Sequence, residues 1–224
     1  MKQIPLAIGP APLLTFENFL PGANVAALVH LSDLRPGSPP VFLWGQGGSG
    51  KTHVLRALAH EWQDGGAQVG WYDADTSLPW ELPAQPSLLL FDDCQRFDPL
   101  QQHAAFALFV EAASHGLAVV ATGSAPPTDL NLREDLRTRL GWGPTFALMP
   151  LSEPEARAAL RREADRRGIL LSDEVLDYLL TRFARDLKHL MGLLVRLDDF
   201  SMATKRAITI PLLKQMLADE PDTL

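Results

Sequence analysis

The stretch Gly45-Gln-Gly-Gly-Ser-Gly-Lys51-Thr52 decides the fold of this 224-residue chain. It fits the pattern GxxxxGK[ST] in full, in which a glycine-rich turn joins a buried strand to a helix. Backbone amides in such a turn close around a phosphate, and the helix that follows points its positive end at the same anion. The sequence therefore predicts a phosphate-binding loop with amides from Gly45, Gly47, Gly48, Ser49 and Gly50.

The residues that follow the glycines supply the side-chain chemistry of this loop. Lys51 is expected to reach the β- and γ-phosphates of a nucleotide, and the Thr52 hydroxyl to hold Mg²⁺. His53, the next residue of the predicted helix, belongs to the same nucleotide-binding set. We expect ADP or ATP together with Mg²⁺ as the bound cofactor.

Short apolar runs surround the loop and alternate with helical patterns. Apolar residues recur at three- and four-residue steps over 52–62 and 100–113, which predicts helices there. Alternation of strand and helix predicts a parallel sheet covered on both faces by helices. The four predicted strands are Val41–Trp44, Val69–Tyr72, Leu88–Phe91 and Leu117–Val120.

The pattern changes near Pro150 to helices alone. Ser152-Glu-Pro-Glu155 indicates a capping box that opens a helix, and Ser172 caps the next one. A third helix is expected from about Asp186 and a last one after Pro211. We therefore expect an α/β base over residues 13–149 and a small all-helical lid domain over residues 150–224.

Acidic and hydroxyl side chains follow two of the predicted strands. The run Leu88-Leu-Leu-Phe-Asp92-Asp93 places Asp92 where a Mg²⁺-holding acid is expected and Asp93 where an acid could orient a water molecule. Asp93 could instead, or as well, be the N-cap of a helix. The next strand ends in Ala-Thr122-Gly-Ser124, where Ser124, or alternatively Thr122, could sense the γ-phosphate. Both could equally be turn residues.

Composition narrows the class of protein. The formal charge is −7, which argues against a protein that coats DNA through net charge. Residues 151–224 nevertheless hold 12 of the 20 Lys and Arg. A single cysteine excludes an internal disulfide framework and a cysteine-based zinc site. No apolar run approaches the ~18 residues that would cross a bilayer, so we expect a cytoplasmic protein without a membrane partner.

Taken together, these segments resemble the AAA+ core of the bacterial replication initiator DnaA over nearly the whole chain. Thr15-Phe-Glu-Asn-Phe19 is similar to the segment that packs beside the adenine, and Phe91-Asp-Asp-Cys-Gln95 to the second nucleotide motif of the family. Ala207-Ile-Thr-Ile210 is similar to the end of the family's lid. The resemblance implies a P-loop AAA+ fold, a three-layer αβα base with a parallel sheet followed by the helical lid.

Two positions inherit roles from that resemblance. Leu136-Arg-Thr-Arg139-Leu-Gly-Trp-Gly143 is similar to the arginine-finger box of the family, which implies that Arg139 reaches a nucleotide on a neighbouring subunit. Arg133 and Arg137 lie close by and are the competing candidates. The segment Asp186-Leu-Lys188 aligns with the second sensor, where Lys188 stands in place of the usual Arg and Arg185 could substitute for it.

The N-terminal stretch Gln3-Ile4-Pro-Leu6-Ala-Ile8 resembles the peptides that bind the sliding clamp. We expect residues 1–12 to be a flexible clamp-binding segment, although a terminus without this role would look similar. We also expect no helix-turn-helix module after the lid. These features resemble the regulatory inactivators of DnaA, which are AAA+ proteins homologous to the initiator itself.

That resemblance implies a negative regulator of replication initiation rather than a metabolic enzyme. It implies as partners the DnaA initiator, the β sliding clamp of DNA polymerase III, and DNA through the loaded clamp. Arg139 would then trigger hydrolysis of the ATP bound to DnaA, with this protein's own ATP turnover secondary. A homodimer or a larger AAA+ oligomer stays open.

The residues leave three other interpretations open. A helicase loader or remodelling module of the same core family would hydrolyse ATP by itself. A DNA-binding adaptor would use the basic residues of the lid. An adenylate-type kinase would need a second substrate site, which the sequence does not show.

Overall fold

The structure of this protein, a computed structural model, describes residues 13–183 and 187–219. For Lys188 it describes the backbone alone. The described chain divides into two compact units, one ending at Pro150 and the other beginning at Leu151. The predicted clamp-binding residues Gln3, Ile4, Leu6 and Ile8 lie outside the described residues, as does Arg185.

The first unit is built on a sheet of five parallel strands in the order β2-β3-β4-β1-β5. All four predicted strands are present. The fifth strand was not predicted, because it is three residues long and none of its side chains is buried. The strands are β1 (Val41–Trp44), β2 (Gln68–Tyr72), β3 (Pro86–Phe91), β4 (Ala118–Gly123) and β5 (Thr145–Ala147).

Helices cover both faces of this sheet, because alternate strand side chains point to opposite faces. Val41 and Leu43 pack on the side of helices α1 (Val25–Ser32) and α2 (Lys51–Asp64). Phe42 packs on the other side, against helices α3 (Pro99–His115) and α4 (Glu134–Leu140). The predicted three-layer αβα arrangement with a parallel sheet is confirmed.

In residues 151–183 and 187–219, the described part of the second unit, four helices pack around a core of their own. Leu160, Leu176, Leu194 and Leu212, one from each helix, are fully buried there. The Glu155 carboxylate accepts hydrogen bonds from the backbone amide and hydroxyl of Ser152, as in the predicted capping box. The helices are α5 (Glu153–Arg166), α6 (Asp173–Arg182), α7 (Leu187–Thr204) and α8 (Ile210–Ala218), which confirms an all-helical lid.

None of the helices in the described ranges combines the length and the apolar character needed to cross a membrane.

The segment between α4 and β5 is held tightly against the start of β1. The backbone amide of Phe42 donates to the Pro144 carbonyl oxygen at 3.0 Å. A Cβ atom added to Gly143 would lie 1.9 Å from the carbonyl oxygen of Pro40, a distance that no packing adjustment of a side chain can relieve. Gly143 is therefore required by a close approach of two backbone segments.

We expect Gly143→Ala to destabilise the first unit by about 1–3 kcal/mol or more, because overpacking against backbone forces the two segments apart. Gly141→Ala is the matched control, since its Cβ would meet only ordinary contacts, the nearest at 3.6 Å from the Arg137 carbonyl oxygen. Urea unfolding of both variants measures the difference. Equal midpoints for the two variants would contradict the close-approach explanation.

A small ion cluster stabilises the end of α5. Glu163 accepts hydrogen bonds from Arg166 and from Arg167, with the shortest N···O distances both 2.6 Å. The hydrogen bond from Arg166, followed by that from Arg167, lowers the pKa of Glu163 from 4.5 to about 2 despite partial burial. Its carboxylate therefore favours the folded state once it is ionised.

We expect Glu163→Gln to lower the free energy of unfolding of the second unit at pH 7 by about 1 kcal/mol or less. Because folding lowers the pKa of Glu163, its stabilisation is complete above pH 4.5 and disappears as the pH falls to about 2. Thermal unfolding across that range measures the gap between wild type and variant. Asp199→Asn, which removes an exposed acid in mid-α7, is the control, and a gap independent of pH would refute the assignment.

Candidate functional site

Three neighbouring strands end at the same edge of the sheet and bring the predicted site residues together. The loop 45–52 leaves β1, Asp92 follows β3, and Thr122 lies near the end of β4. Because β3, β4 and β1 are adjacent and parallel, their carboxyl ends converge. The tertiary fold thus assembles one site from segments up to 77 residues apart.

The glycines of the loop occupy their positions for different structural reasons. Gly48 and Gly50 adopt φ values of 79° and 94°, in the left-handed region that favours glycine. A Cβ atom on Gly45 would lie 2.4 Å from the Leu148 carbonyl oxygen, so a side chain has no room there. A Cβ atom on Gly47 would meet no atom of the described chain within 4 Å. The loop is therefore tightly held at its base and open at its tip.

Lys51 and Ser49 both carry buried polar atoms within this loop. The Lys51 ammonium is nearly buried and donates to the carbonyl oxygens of Gly45 at 2.9 Å and Gln46 at 3.3 Å. The Ser49 hydroxyl is buried without a hydrogen-bond partner among the described residues. Buried polar groups normally have partners, so the loop fits an additional anionic ligand that would accept hydrogen bonds from it.

The Asp92 carboxylate joins the loop to the neighbouring strands. Thr52 Oγ1 donates to Asp92 Oδ2 and Thr122 Oγ1 donates to Asp92 Oδ1, both at 2.7 Å. The Thr122 hydroxyl in turn accepts a hydrogen bond from the Asp93 amide at 2.8 Å. These bonds fix the orientation of the carboxylate. Thr52 and Asp92 together present the hard oxygen donors that Mg²⁺ prefers.

No group of three or more His, Cys, Asp or Glu side chains that could hold a metal occurs in the part of the chain that the structure describes. Mg²⁺ at nucleotide phosphates uses one or two protein ligands and completes its shell with water and phosphate oxygens. The pair Thr52 and Asp92 fits that pattern of ligation.

Asp93 stands beside the loop in an unusual backbone conformation. Its φ is 50°, and it occupies the N-cap position of the short 3-10 turn Cys94–Arg96 without a side-chain capping bond. Its carboxylate lies 4.0 Å from the Lys51 ammonium. The side chain is therefore directed toward the cation of the loop rather than toward the turn that it precedes. Its role with water stays a prediction.

The two hydroxyl candidates at the end of β4 differ in what they contact. Thr122 is fully buried and bonded to Asp92, whereas Ser124 is exposed. The Ser124 amide donates to Gln95 Oε1 at 3.1 Å. The structure thus connects Thr122, the alternative candidate, directly to the Asp92 carboxylate. The sensor role of Ser124 stays a prediction.

The segment Thr15–Phe19, which resembles the adenine-proximal motif, packs against the first turn of α2. His53 Nε2 is 3.0 Å from the Thr15 carbonyl oxygen, and the Phe19 ring contacts the His53 ring edge-on at 5.1 Å. A Cβ atom on Gly50 would be 2.6 Å from Cε2 of Phe19. Phe19 therefore closes one wall of the loop. The contribution of His53 to nucleotide binding stays a prediction.

Arg139 lies on the opposite face of the sheet from α2. It is carried by α4, whose Leu136 and Leu140 pack with α3, and the chain then runs to Gly143 at the amino end of β1. The loop instead leaves the carboxyl end of β1 and enters α2 on the other face. The helix that carries Arg139 thus packs on the sheet face opposite to α2.

An open groove of about 900 Å³ surrounds Arg139. The Arg139 guanidinium lies 4.9 Å from the centre of the Trp142 ring. Trp142 is exposed over 66% of its surface, and sequence reasoning did not assign it a role of its own. The groove is lined by Phe106, Arg133, Glu134, Asp135, Thr138, Arg139 and Trp142.

The competing arginine Arg133 is occupied by partners. Its Nη2 donates to Asp135 Oδ2 at 2.7 Å and its Nη1 lies 3.3 Å from Nδ1 of His103. Asp135 raises the pKa of Arg133 by accepting this hydrogen bond. No ion pair of Arg139 or Arg137 occurs among the described residues. The second-sensor candidate Lys188 lies at the start of α7, but its side chain falls outside what the structure describes.

A family model described as the lid domain of Hda matches residues 153–217, which cover the lid helices almost from end to end. Domain III of the replication initiation protein DnaA from Thermotoga maritima superposes with a TM-score of 0.75 and 22% identity. The match covers 94% of this chain and 98% of that domain.

Two further solved structures share the fold. AMPPCP-bound DnaA from Aquifex aeolicus has a TM-score of 0.70 and 21% identity, over 93% of this chain and 71% of that one. RuvB, the Holliday junction branch migration motor of Thermotoga maritima, has a TM-score of 0.65 and 17% identity, over 93% and 72%. This chain thus shares the fold of DnaA domain III, and its lid matches the family model of the Hda lid domain.

Proposed function

We propose that this protein is a negative regulator of replication initiation that stimulates hydrolysis of ATP bound to the DnaA initiator. The observation that carries the proposal is the placement of Arg139. It is carried by α4 on the α3 side of the sheet, without an ion-pair partner among the described residues, while the loop 45–52 leaves the carboxyl end of β1 and enters α2, which packs on the other face. An arginine so placed is suited to complete a nucleotide site on another subunit.

The chemistry expected of Arg139 is charge neutralisation. As the bond to the γ-phosphate of the initiator's ATP breaks, negative charge develops on phosphate oxygens, and a guanidinium positioned there stabilises the transition state. Arginine presents a planar fork of donors that matches phosphate oxygens, and it stays protonated at any physiological pH. Such fingers accelerate hydrolysis by about 10³–10⁵.

The protein's own loop is proposed to bind ADP or ATP with Mg²⁺. The buried Lys51 ammonium and the unpartnered Ser49 hydroxyl support an anionic ligand there, and Thr52 and Asp92 support the metal. When a nucleotide is bound, the loop amides and Lys51 would donate hydrogen bonds to its phosphate oxygens. Asp93 stands 4.0 Å from Lys51 and is the candidate acid for orienting water in slow turnover by this chain itself.

Coupling to replication is proposed to come from the N-terminal segment. Gln3, Ile4, Leu6 and Ile8 would bind the β sliding clamp, so that stimulation requires clamp loaded on DNA. This part of the proposal rests on the sequence pattern alone.

We expect Lys51→Ala to weaken binding of ADP and of ATP by at least about tenfold, because the bound phosphates lose a buried charge-assisted hydrogen bond worth roughly 1.5–3 kcal/mol. Isothermal titration with each nucleotide and Mg²⁺ measures the effect. Lys214→Ala, which removes a lysine of the lid beside Tyr178, is the matched control. Unchanged affinity in the Lys51 variant would remove the loop from the proposed function.

We expect Arg139→Ala to reduce the stimulated hydrolysis of DnaA-bound ATP to nearly the rate of DnaA alone, because the transition state loses its guanidinium. The assay follows ATP already bound to DnaA, with clamp loaded on DNA, in the presence and absence of this protein. Arg137→Ala, on the same helix, is the control and should retain stimulation.

The same assay separates the alternatives. A variant with Gln3 and Leu6 changed to Ala should lose stimulation while still binding nucleotide. If the folded, nucleotide-bound wild type fails to stimulate DnaA, the regulatory proposal is wrong. Steady ATP hydrolysis by this chain alone, increased by single-stranded DNA and independent of clamp, would favour a helicase loader or remodelling module instead.

A further inference from the structure

Trp142 is a large aromatic side chain left in solvent beside the finger. It is 66% exposed, although tryptophan is usually well covered in folded proteins. The Arg139 guanidinium lies 4.9 Å from its ring centre, within the range at which the ring face attracts a cation. The exposed indole therefore has a specific contact on one face.

Of the two acids that line the groove, Glu134 and Asp135, neither forms an ion pair with Arg139 among the described residues. Arg133 occupies Asp135 through two hydrogen bonds, at 2.7 and 3.2 Å. A guanidinium paired with a carboxylate would have to break that pair before reaching a phosphate. The indole face orients the guanidinium without supplying a competing negative charge, so the finger stays available.

The backbone holds the two side chains at a set separation. Leu140, which lies between Arg139 and Trp142 in the sequence, is almost fully buried in the core on the α3 side. The Trp142 amide donates to the Arg139 carbonyl oxygen at 3.3 Å. Directly after Trp142, Gly143 is held against the Pro40 carbonyl oxygen, where a Cβ atom would lie 1.9 Å away. The turn that carries the indole is thus held in place by a buried side chain before it and a close backbone contact after it.

We propose that Trp142 is a positioning residue for Arg139, holding the guanidinium extended over its ring so that the finger is oriented before the partner arrives. This inference rests on the proposed function for its catalytic consequence, but the stacking itself is a property of the chain alone. Arginine has several rotatable bonds, and fixing them in advance leaves less freedom to lose when the finger engages.

The stacking is tested on the full chain without any partner. In protein labelled selectively at arginine, the Arg139 side-chain protons, assigned by their loss in Arg139→Lys, should be shifted upfield by the indole ring current. The shift should persist in Trp142→Phe and disappear in Trp142→Leu, with the Arg137 signals unchanged. An unshifted Arg139 in the wild type would overturn the inference.

The consequence is tested in single-turnover hydrolysis of DnaA-bound ATP with clamp on DNA, over a range of concentrations of this protein. We expect Trp142→Leu to lower the maximal rate about two- to fivefold, the value of an exposed cation–π contact, and Trp142→Phe to restore most of it. Leu170→Ala, which removes an apolar side chain that is 92% exposed in the lid, is the control for lost apolar surface.

Two results would overturn the positioning role. Trp142→Leu with an unchanged maximal rate but a higher half-saturating concentration would make Trp142 a docking contact only. Equal rates for the Phe and Leu variants would remove the aromatic requirement, and thermal unfolding of both excludes loss of fold. If the wild type does not stimulate DnaA at all, the proposed function fails, and the Arg139 ring-current shift alone decides the stacking.

Discussion

The carboxylate of Asp92 is the constraint on which the rest of the site depends. It accepts hydrogen bonds from Thr52 at the start of α2 and from Thr122 on β4, each at 2.7 Å. Three elements that are distant in sequence are thereby held to one point at the carboxyl edge of the sheet. These bonds can form because β3, β4 and β1 are parallel neighbours in the sheet. The order of the strands therefore determines the geometry of the site.

The sheet also separates two chemical tasks. On the α2 face, at the carboxyl edge of the sheet, the loop 45–52 presents a buried ammonium and a hydroxyl that has no hydrogen-bond partner among the described residues, and both favour binding of an anion. On the other, Arg139 presents a cation with no acid partner in the described chain. The loop at the carboxyl end of β1 and the helix that carries Arg139 are thus separate features of the same unit.

The arginine at the N-cap of α4 and the arginines within that helix differ in what they contact. Arg133 is bound to Asp135 and lies beside His103, whereas Arg139 rests on the face of Trp142. All three arginines of this segment look alike in sequence, and only the resemblance to a known motif distinguished them. What separates them physically is that Asp135 pairs with Arg133, whereas Arg139 contacts an aromatic ring.

Local patterns determined much of this protein. Glycine spacing predicted the loop, apolar runs predicted β1 to β4, and periodicity with caps predicted α2, α3 and the helical lid. They missed α1, where exposed Val25 and Val29 blur the apolar stripe, and also α4 and β5, which are too short for a periodic signal. Only the tertiary structure showed that Thr122, and not Ser124, donates a hydrogen bond to Asp92. It also showed that the Asp93 carboxylate lies near the Lys51 ammonium and that the Arg139 guanidinium lies over the Trp142 ring. Those contacts depend on which side chains face each other across separate segments, and a one-dimensional pattern carries no such information.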